Sequence, residues 1–109
     1  MNTDIQTYVN QFPDDIIRLF STLRDTVFSC VSDDIEEKMW AKLPSYYSGE
    51  KFIRLIPFKD HINIEASSMA KYKEKLNGYK LTPKGMLQIF PDNEIPTDIL
   101  KQAFKETLK

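Results

Sequence analysis

The chain has 109 residues, 41% of them hydrophobic and 28% charged, and a formal net charge of −1. This length supports one domain spanning residues 1–109, with no room for a second core. No apolar run nears the roughly 20 residues that span a bilayer, and a pI near 5.8 argues against a dedicated nucleic-acid binder, so a soluble protein is expected.

The single cysteine, Cys30, allows no internal disulfide, and MNTDIQTYVN has neither the basic nor the apolar region of a signal peptide. Both features suggest a cytoplasmic protein. Charge is unevenly spread along the chain. Residues 1–50 carry nine acids against four bases, a balance of −5, and residues 51–109 carry seven acids against eleven bases, a balance of +4. Such separation suits an acidic and a basic face.

In chain order, Thr3-Asp4-Ile5-Gln6 has the form of a capping box and opens a short helix. Pro13-Asp14-Asp15 starts the longest helix, about residues 13–31, because Pro suits a first helical position and acids suit the positive end of the helix dipole. Its apolar residues Ile16, Leu19, Phe20, Leu23, Val27 and Val31 recur at three-to-four spacing. Ser32-Asp33-Asp34-Ile35-Glu36-Glu37 reads as one further helical turn. Met39, Ala41 and Leu43 then alternate with Trp40 and Lys42 in a first strand that Pro44 ends, and SYYSGE forms a turn-rich connection.

The clearest periodicity is in KFIRLIPFKDHINIEA, residues 51–66. Ile62 and Ile64 alternate with His61, Asn63 and Glu65, while the first half is apolar on both sides, so two strands joined at Lys59-Asp60 are expected at the sheet centre. Ser67 or Ser68 can cap a helix with Met69, Tyr72 and Leu76 in one stripe, which Asn77-Gly78 stops. Thr82 to Gly85 forms a turn, MLQIF a last strand, and Leu100, Ala103, Phe104 and Leu108 one side of a closing helix. The order α-α-β-β-β-α-β-α predicts an α+β domain whose antiparallel sheet of about four strands is covered on one face by helices.

Little here suits catalysis. A nucleophile needs a base within reach, yet His61 lies on the polar face of its strand and Cys30 near a core stripe, so a non-enzymatic protein with an exposed histidine and an inert thiol is expected. One Cys and one His do not make a zinc cage, and three scattered glycines form no nucleotide loop. Two binding readings remain. Asp33, Asp34, Glu36 and Glu37 form two i,i+3 carboxylate pairs that one helical turn would bring together around a hard cation, with Asp14 and Asp15 as a second cluster. Helix-start electrostatics alone also accounts for those acids. The other reading is a cleft of Trp40, Tyr46, Tyr47 and Phe52, with Lys42, Arg54 and Lys84 as polar contacts for an organic anion or a partner's acidic segment.

Three segments, EEKMWAKLPSYY, FKDHINIEA and GYKLTPKGMLQI, followed by a proline-bounded closing helix, carry a resemblance across nearly the whole chain. With Glu37-Lys38-Met39, Leu43-Pro44, Phe58-Lys59-Asp60-His61-Ile62, Gly78-Tyr79 and Lys84-Gly85, the chain resembles the YdhG-like family of small bacterial domains. Trp40 and Thr82-Pro83-Lys84 depart from what many relatives carry. That family is similar in fold to frataxins. The resemblance implies a frataxin-like iron chaperone, a monomer or weak dimer. It would hold iron weakly through exposed carboxylates and pass it to iron-sulfur or haem assembly proteins, with no nucleic acid or membrane involved.

Overall fold

The structure is a computed structural model that describes residues 1–30 and 34–109. Helices α1 (Thr3–Val9) and α2 (Asp14–Cys30) precede strands β1 (Glu36–Trp40), β2 (Leu43–Ser48), β3 (Lys51–Pro57) and β4 (Ile62–Ala66). Two 3₁₀ turns, Met69–Tyr72 and Glu74–Leu76, lead to β5 (Lys80–Leu81), β6 (Leu87–Ile89) and α3 (Thr97–Leu108). The result is an α+β fold with one antiparallel sheet in the order β1-β2-β3-β4-β6-β5.

The 51–66 hairpin lies at the centre of that sheet, as its periodicity implies. Ile53 and Leu55 of β3, Ile62 and Ile64 of β4, and Leu87 and Ile89 of β6 point to one side and are fully buried. The stripes of α2 (Ile16, Phe20, Leu23, Val27) and α3 (Leu100, Ala103, Phe104) join the same core, as do Ile5 and Val9 of α1. Burying each such side chain contributes about 1.5–3 kcal/mol, and period two on the strands meets period 3.6 on the helices across a single layer. All three helices thus serve one face of the sheet. The other face has no helix over it among the described residues.

Several local expectations change. There are six strands rather than about four, because 36–48 folds into a second hairpin, β1-β2, in place of a one-turn helix, one strand and a connection, and because Lys80–Leu81 adds the short strand β5 beside β6. The Asp34–Ile35 part of the expected turn is irregular and Glu36 begins the strand; Val31, Ser32 and Asp33 lie outside the described residues. Pro44 sits within β2, opposite Met39, instead of ending a strand. It is tolerated there because pairing to β3 begins only at Ser45, opposite Arg54, so no ladder to β3 needs its missing N–H. The residues after β4 form 3₁₀ turns rather than a helix, although Met69, Tyr72 and Leu76 are buried as their spacing predicts.

The first helix is capped by Asn2 rather than Thr3. The Asn2 side-chain oxygen accepts the Asp4 and Ile5 amides at 2.8 and 3.2 Å. Its side-chain nitrogen donates to the Glu37 carbonyl at 3.3 Å and its backbone N–H donates to the Glu37 carboxylate at 2.8 Å. The start of α1 is thereby tied to β1, which occupies one edge of the sheet and gains some cover for it.

The β1-β2 turn is strained. Ala41 and Lys42 have φ of 51° and 66°, left-handed values that a two-residue hairpin turn demands and that Asn-Gly meets at least cost. Placing Asn-Gly at 41–42 should therefore raise the unfolding free energy by about 1–2 kcal/mol. Urea denaturation of the double variant measures this, and an unchanged or lower midpoint would show that the turn stores no strain.

Candidate functional site

The helix-free face of the sheet is built by strand alternation. With Ile53, Leu55, Ile62 and Ile64 directed into the core, Phe52, Arg54 and Ile56 of β3 and Asn63 and Glu65 of β4 must emerge on the opposite side. Register adds Ser45 and Tyr47 beside Arg54 and Phe52, Trp40 and Lys38 from β1, and Gln88 beside Asn63. Just past the strand ends, the Phe58 amide donates to the His61 carbonyl at 2.8 Å, which extends the β3-β4 ladder by one pair.

Arg54 sits at the middle of this face. Its guanidinium lies over the Trp40 ring at 4.2 Å and over the Phe52 ring at 3.9 Å. It also donates to Ser45 Oγ at 3.2 Å, Glu65 Oε1 at 3.2 Å and the Tyr47 hydroxyl at 3.3 Å. Arg54 is only 8% exposed although no helix covers it, since its cover is two rings and a carboxylate. Each cation–ring contact stabilises by about 0.5–2 kcal/mol, more as the cation is desolvated. The Glu65 carboxylate offsets the cost of withdrawing the charge from water.

The same surface carries further rings. Lys38 Nζ lies 4.7 Å from the Tyr47 ring and Tyr47 is 5.7 Å from Phe52. At the other end His61 stacks on Phe58 at 4.6 Å and approaches Phe90 at 5.1 Å, with Asp60 2.7 Å from its Nδ1. The imidazole is on the non-core face, as alternation predicts, but it is half-buried rather than exposed because that face is aromatic instead of solvated. Its hydrogen bond holds the Asp60 carboxyl below the usual range. Trp40 remains 51% exposed. Between the two groups the side-chain oxygen of Asn63 is buried with no hydrogen-bond partner, a condition that costs about 1–3 kcal/mol.

The expected cleft is thus only partly assembled. Trp40 and Arg54 come together and recruit Tyr47 and Phe52. Tyr46 does not join them. It pairs with Ile53 and is fully buried on the helix side, because the residue after Ser45 in β2 must face the core. Lys42 is exposed in the strained turn, and Lys84 is exposed in the β5-β6 turn beside Phe52. Phe58, Phe90 and Asn63 are the contributors that sequence reasoning passed over. Continuing the period-two count from Arg54 through Ile56 to Phe58 would have found the first.

The acidic set does not converge. Among the described residues no three His, Cys, Asp or Glu side chains are grouped to hold a metal ion. Asp34 is exposed ahead of β1, and Asp33 lies outside the described residues. Glu36 and Glu37 are neighbours on a strand, so they point to opposite faces; Glu36 pairs with Lys38 at 3.1 Å in solvent. Glu37 receives Arg24 Nε at 2.5 Å and Nη2 at 3.1 Å, and its side chain is 9% exposed. Asp14 and Asp15 are exposed in the first turn of α2, where they complement its dipole.

Burial pulls the Glu37 carboxyl upward, but the Arg24 side chain and the Asn2 amide outweigh it, leaving the carboxyl below its ordinary value. The buried phenol of Tyr46 is pushed far upward by its own burial and by the Glu37 charge, and its hydroxyl has no hydrogen bond of normal geometry. Cys30 is buried against the helix, its Sγ 3.3 Å from the Val27 carbonyl, and burial raises its thiol above the usual range. That keeps it a thiol at neutral pH.

Because the folded carboxyl of Glu37 titrates lower than the unfolded one, its stabilisation is complete above the ordinary glutamate range and fades as pH falls through the depressed value. Glu37→Gln, which leaves Arg24 without its partner, should cost about 3 kcal/mol at pH 7. The gap to the wild type should narrow steadily in acid. Chemical denaturation from pH 7 downward reads both, and a gap independent of pH would contradict the pairing. No family model, no curated protein and no solved structure matches this chain.

Proposed function

We propose that the protein is a non-enzymatic docking module that binds a protein partner on the helix-free face of its sheet. The observation behind this reading is the aromatic surface around Arg54, with Trp40 half exposed at its edge. Exposed aromatic residues beside a well-packed arginine form the kind of cluster in which interface energy concentrates. The strained Ala41-Lys42 turn next to Trp40 is a feature often retained where function needs it.

Two alternatives fit the face less well. A small organic anion would need a free cation within the aromatic cluster, yet each guanidinium nitrogen of Arg54 already donates a hydrogen bond, and the exposed Lys42 and Lys84 stand in turns rather than on the strands of the face. A polyanion would need a surplus of positive charge, whereas Glu36 and Glu65 stand among Lys38 and Arg54. Iron delivery in the manner of frataxins, which the family resemblance implies, would rest on Asp33, Asp34 and Glu36 without Glu37, because Arg24 occupies that carboxylate. The aromatic face therefore carries the better-supported proposal.

Trp40→Ala should weaken partner binding by about 2 kcal/mol or more, the effect of truncating an interface aromatic, and should lower the unfolding free energy by about 0.5–2 kcal/mol through the lost contact with Arg54. The test is affinity isolation of partners on the wild type, on Trp40→Ala and on the double variant Asp34→Asn, Glu36→Gln. Partners kept by the double variant and lost by Trp40→Ala support the docking face. The reverse pattern would return the acids and iron to the front.

A further inference from the structure

Beside the Arg54 cluster, the helix-free face carries an apolar strip. Trp40 pairs with Leu43 across the β1-β2 hairpin, and carrying the β2-β3 register two residues past Ser45 and Arg54 sets Leu43 beside Ile56. Phe58 follows Ile56 on the same side, since alternate residues of a strand share a face. Trp40, Leu43, Ile56 and Phe58 thus cross three adjacent strands in front of the sheet. Trp40 is 51% and Phe58 42% exposed, and Leu43 and Ile56 are half-buried between them without belonging to the core. Contiguous exposed apolar surface rimmed by polar residues marks an interaction site.

The border of that strip is cationic. Lys38 precedes Trp40 on the same side of β1, and Lys42 occupies the turn between Trp40 and Leu43. Lys59 follows Phe58, and Lys80 lies opposite Gln88 with its Nζ 5.4 Å from the Phe90 ring. Two carboxylates stand against these lysines: Glu36 pairs with Lys38 at 3.1 Å, and Asp60 bonds His61 at 2.7 Å. Arg54 and Glu65 cancel each other. With His61 counted neutral, the border carries +2 among the described residues, whereas the whole chain carries −1. Among those residues no ion pair holds Lys42, Lys59 or Lys80. Rim charges of one sign select partners of the other sign. A second copy of the chain would set like charges against each other, and a nucleic-acid strand needs a basic groove that tracks its backbone, which the apolar strip and Asp60 interrupt.

We infer that the partner presents an acidic, apolar-centred polypeptide segment: aromatic or branched aliphatic side chains on the strip from Trp40 to Phe58, flanked by Asp or Glu directed toward Lys42, Lys59 and Lys80. This inference rests on the docking reading above and adds to it the chemistry of the partner.

The test is selection of a displayed library of random peptides on the full wild-type chain. Enriched sequences should join aromatic or aliphatic residues to flanking Asp and Glu, and the most enriched peptide should bind more weakly as salt rises. In the triple variant Lys42→Glu, Lys59→Glu, Lys80→Glu, all exposed positions, its binding should weaken about tenfold. Should that variant fail to fold, the salt dependence decides, and an affinity independent of salt contradicts the inference. Enriched peptides that are neutral or basic and are lost in Trp40→Ala, or that bind the folded triple variant undiminished, leave the docking face standing and overturn the acidic partner. Acidic peptides that bind Trp40→Ala as tightly as the wild type remove both. No enrichment at all overturns the inference as well. So does self-association of the wild type in sedimentation that Trp40→Ala abolishes, which assigns the face to a second copy, and so does an oligothymidine strand that binds more tightly than the selected peptide.

Discussion

The uncovered face of the sheet depends on how one charge is kept out of water. Arg54 belongs to a central strand, and with helices packed only behind the sheet its guanidinium has no ordinary cover in front. The chain solves this with rings and a carboxylate: Trp40 and Phe52 lie against the cation, while Glu65, Ser45 and Tyr47 accept its hydrogen bonds. Residues from four adjacent strands thereby act on one group. The cost of a partly buried charge is met only if all remain in register. This ties the docking surface to the sheet itself. The rings are held in place by the fold rather than awaiting a partner to order them.

A second ion pair has a different role. Arg24 of α2 and Glu37 of β1 join the helical layer to the edge of the sheet, and Asn2 adds the start of α1 to the same carboxylate. The two pairs sit on opposite faces and differ in consequence. Among the described residues the Arg24–Glu37 pair consumes the most buried acid of the N-terminal half in holding layers together, whereas the Arg54–Glu65 pair creates surface. An acidic stretch that reads as a ligand set in one dimension is divided by the strand's period of two, which sends Glu36 and Glu37 apart.

Much of this was legible in the sequence where one period dominates. The helical stripes that run through Val27 and Phe104, and the alternation around Ile62 and Ile64, lead directly to the core and to a central hairpin. Legibility failed at residues 34–48 for definite reasons. Asp34 to Glu37 carry helix-start chemistry yet enter a strand whose partner, β2, contains a proline, and the turn joining them uses Ala-Lys instead of Asn-Gly. Local signals there point away from the hairpin that tertiary packing imposes. The candidate site was half legible. Trp40 and Arg54 could be paired by chemistry, but Tyr46 could be assigned to the wrong side because its face depends on a register that the proline obscures. The roles of Asn63 and Phe90 depend on the β4-β6 pairing, a contact distant in sequence that no short motif announces.

The central claim, that Arg54 is held between two rings and so shapes the open face, is tested most directly by the magnetic resonance signal of its own side chain. The account predicts an Nε–H that exchanges slowly with water, side-chain protons shifted upfield by the Trp40 and Phe52 rings, and cross-relaxation to both rings in the free protein. A rapidly exchanging Arg54 signal at the position of a solvated arginine, with no cross-relaxation to Trp40, would contradict it.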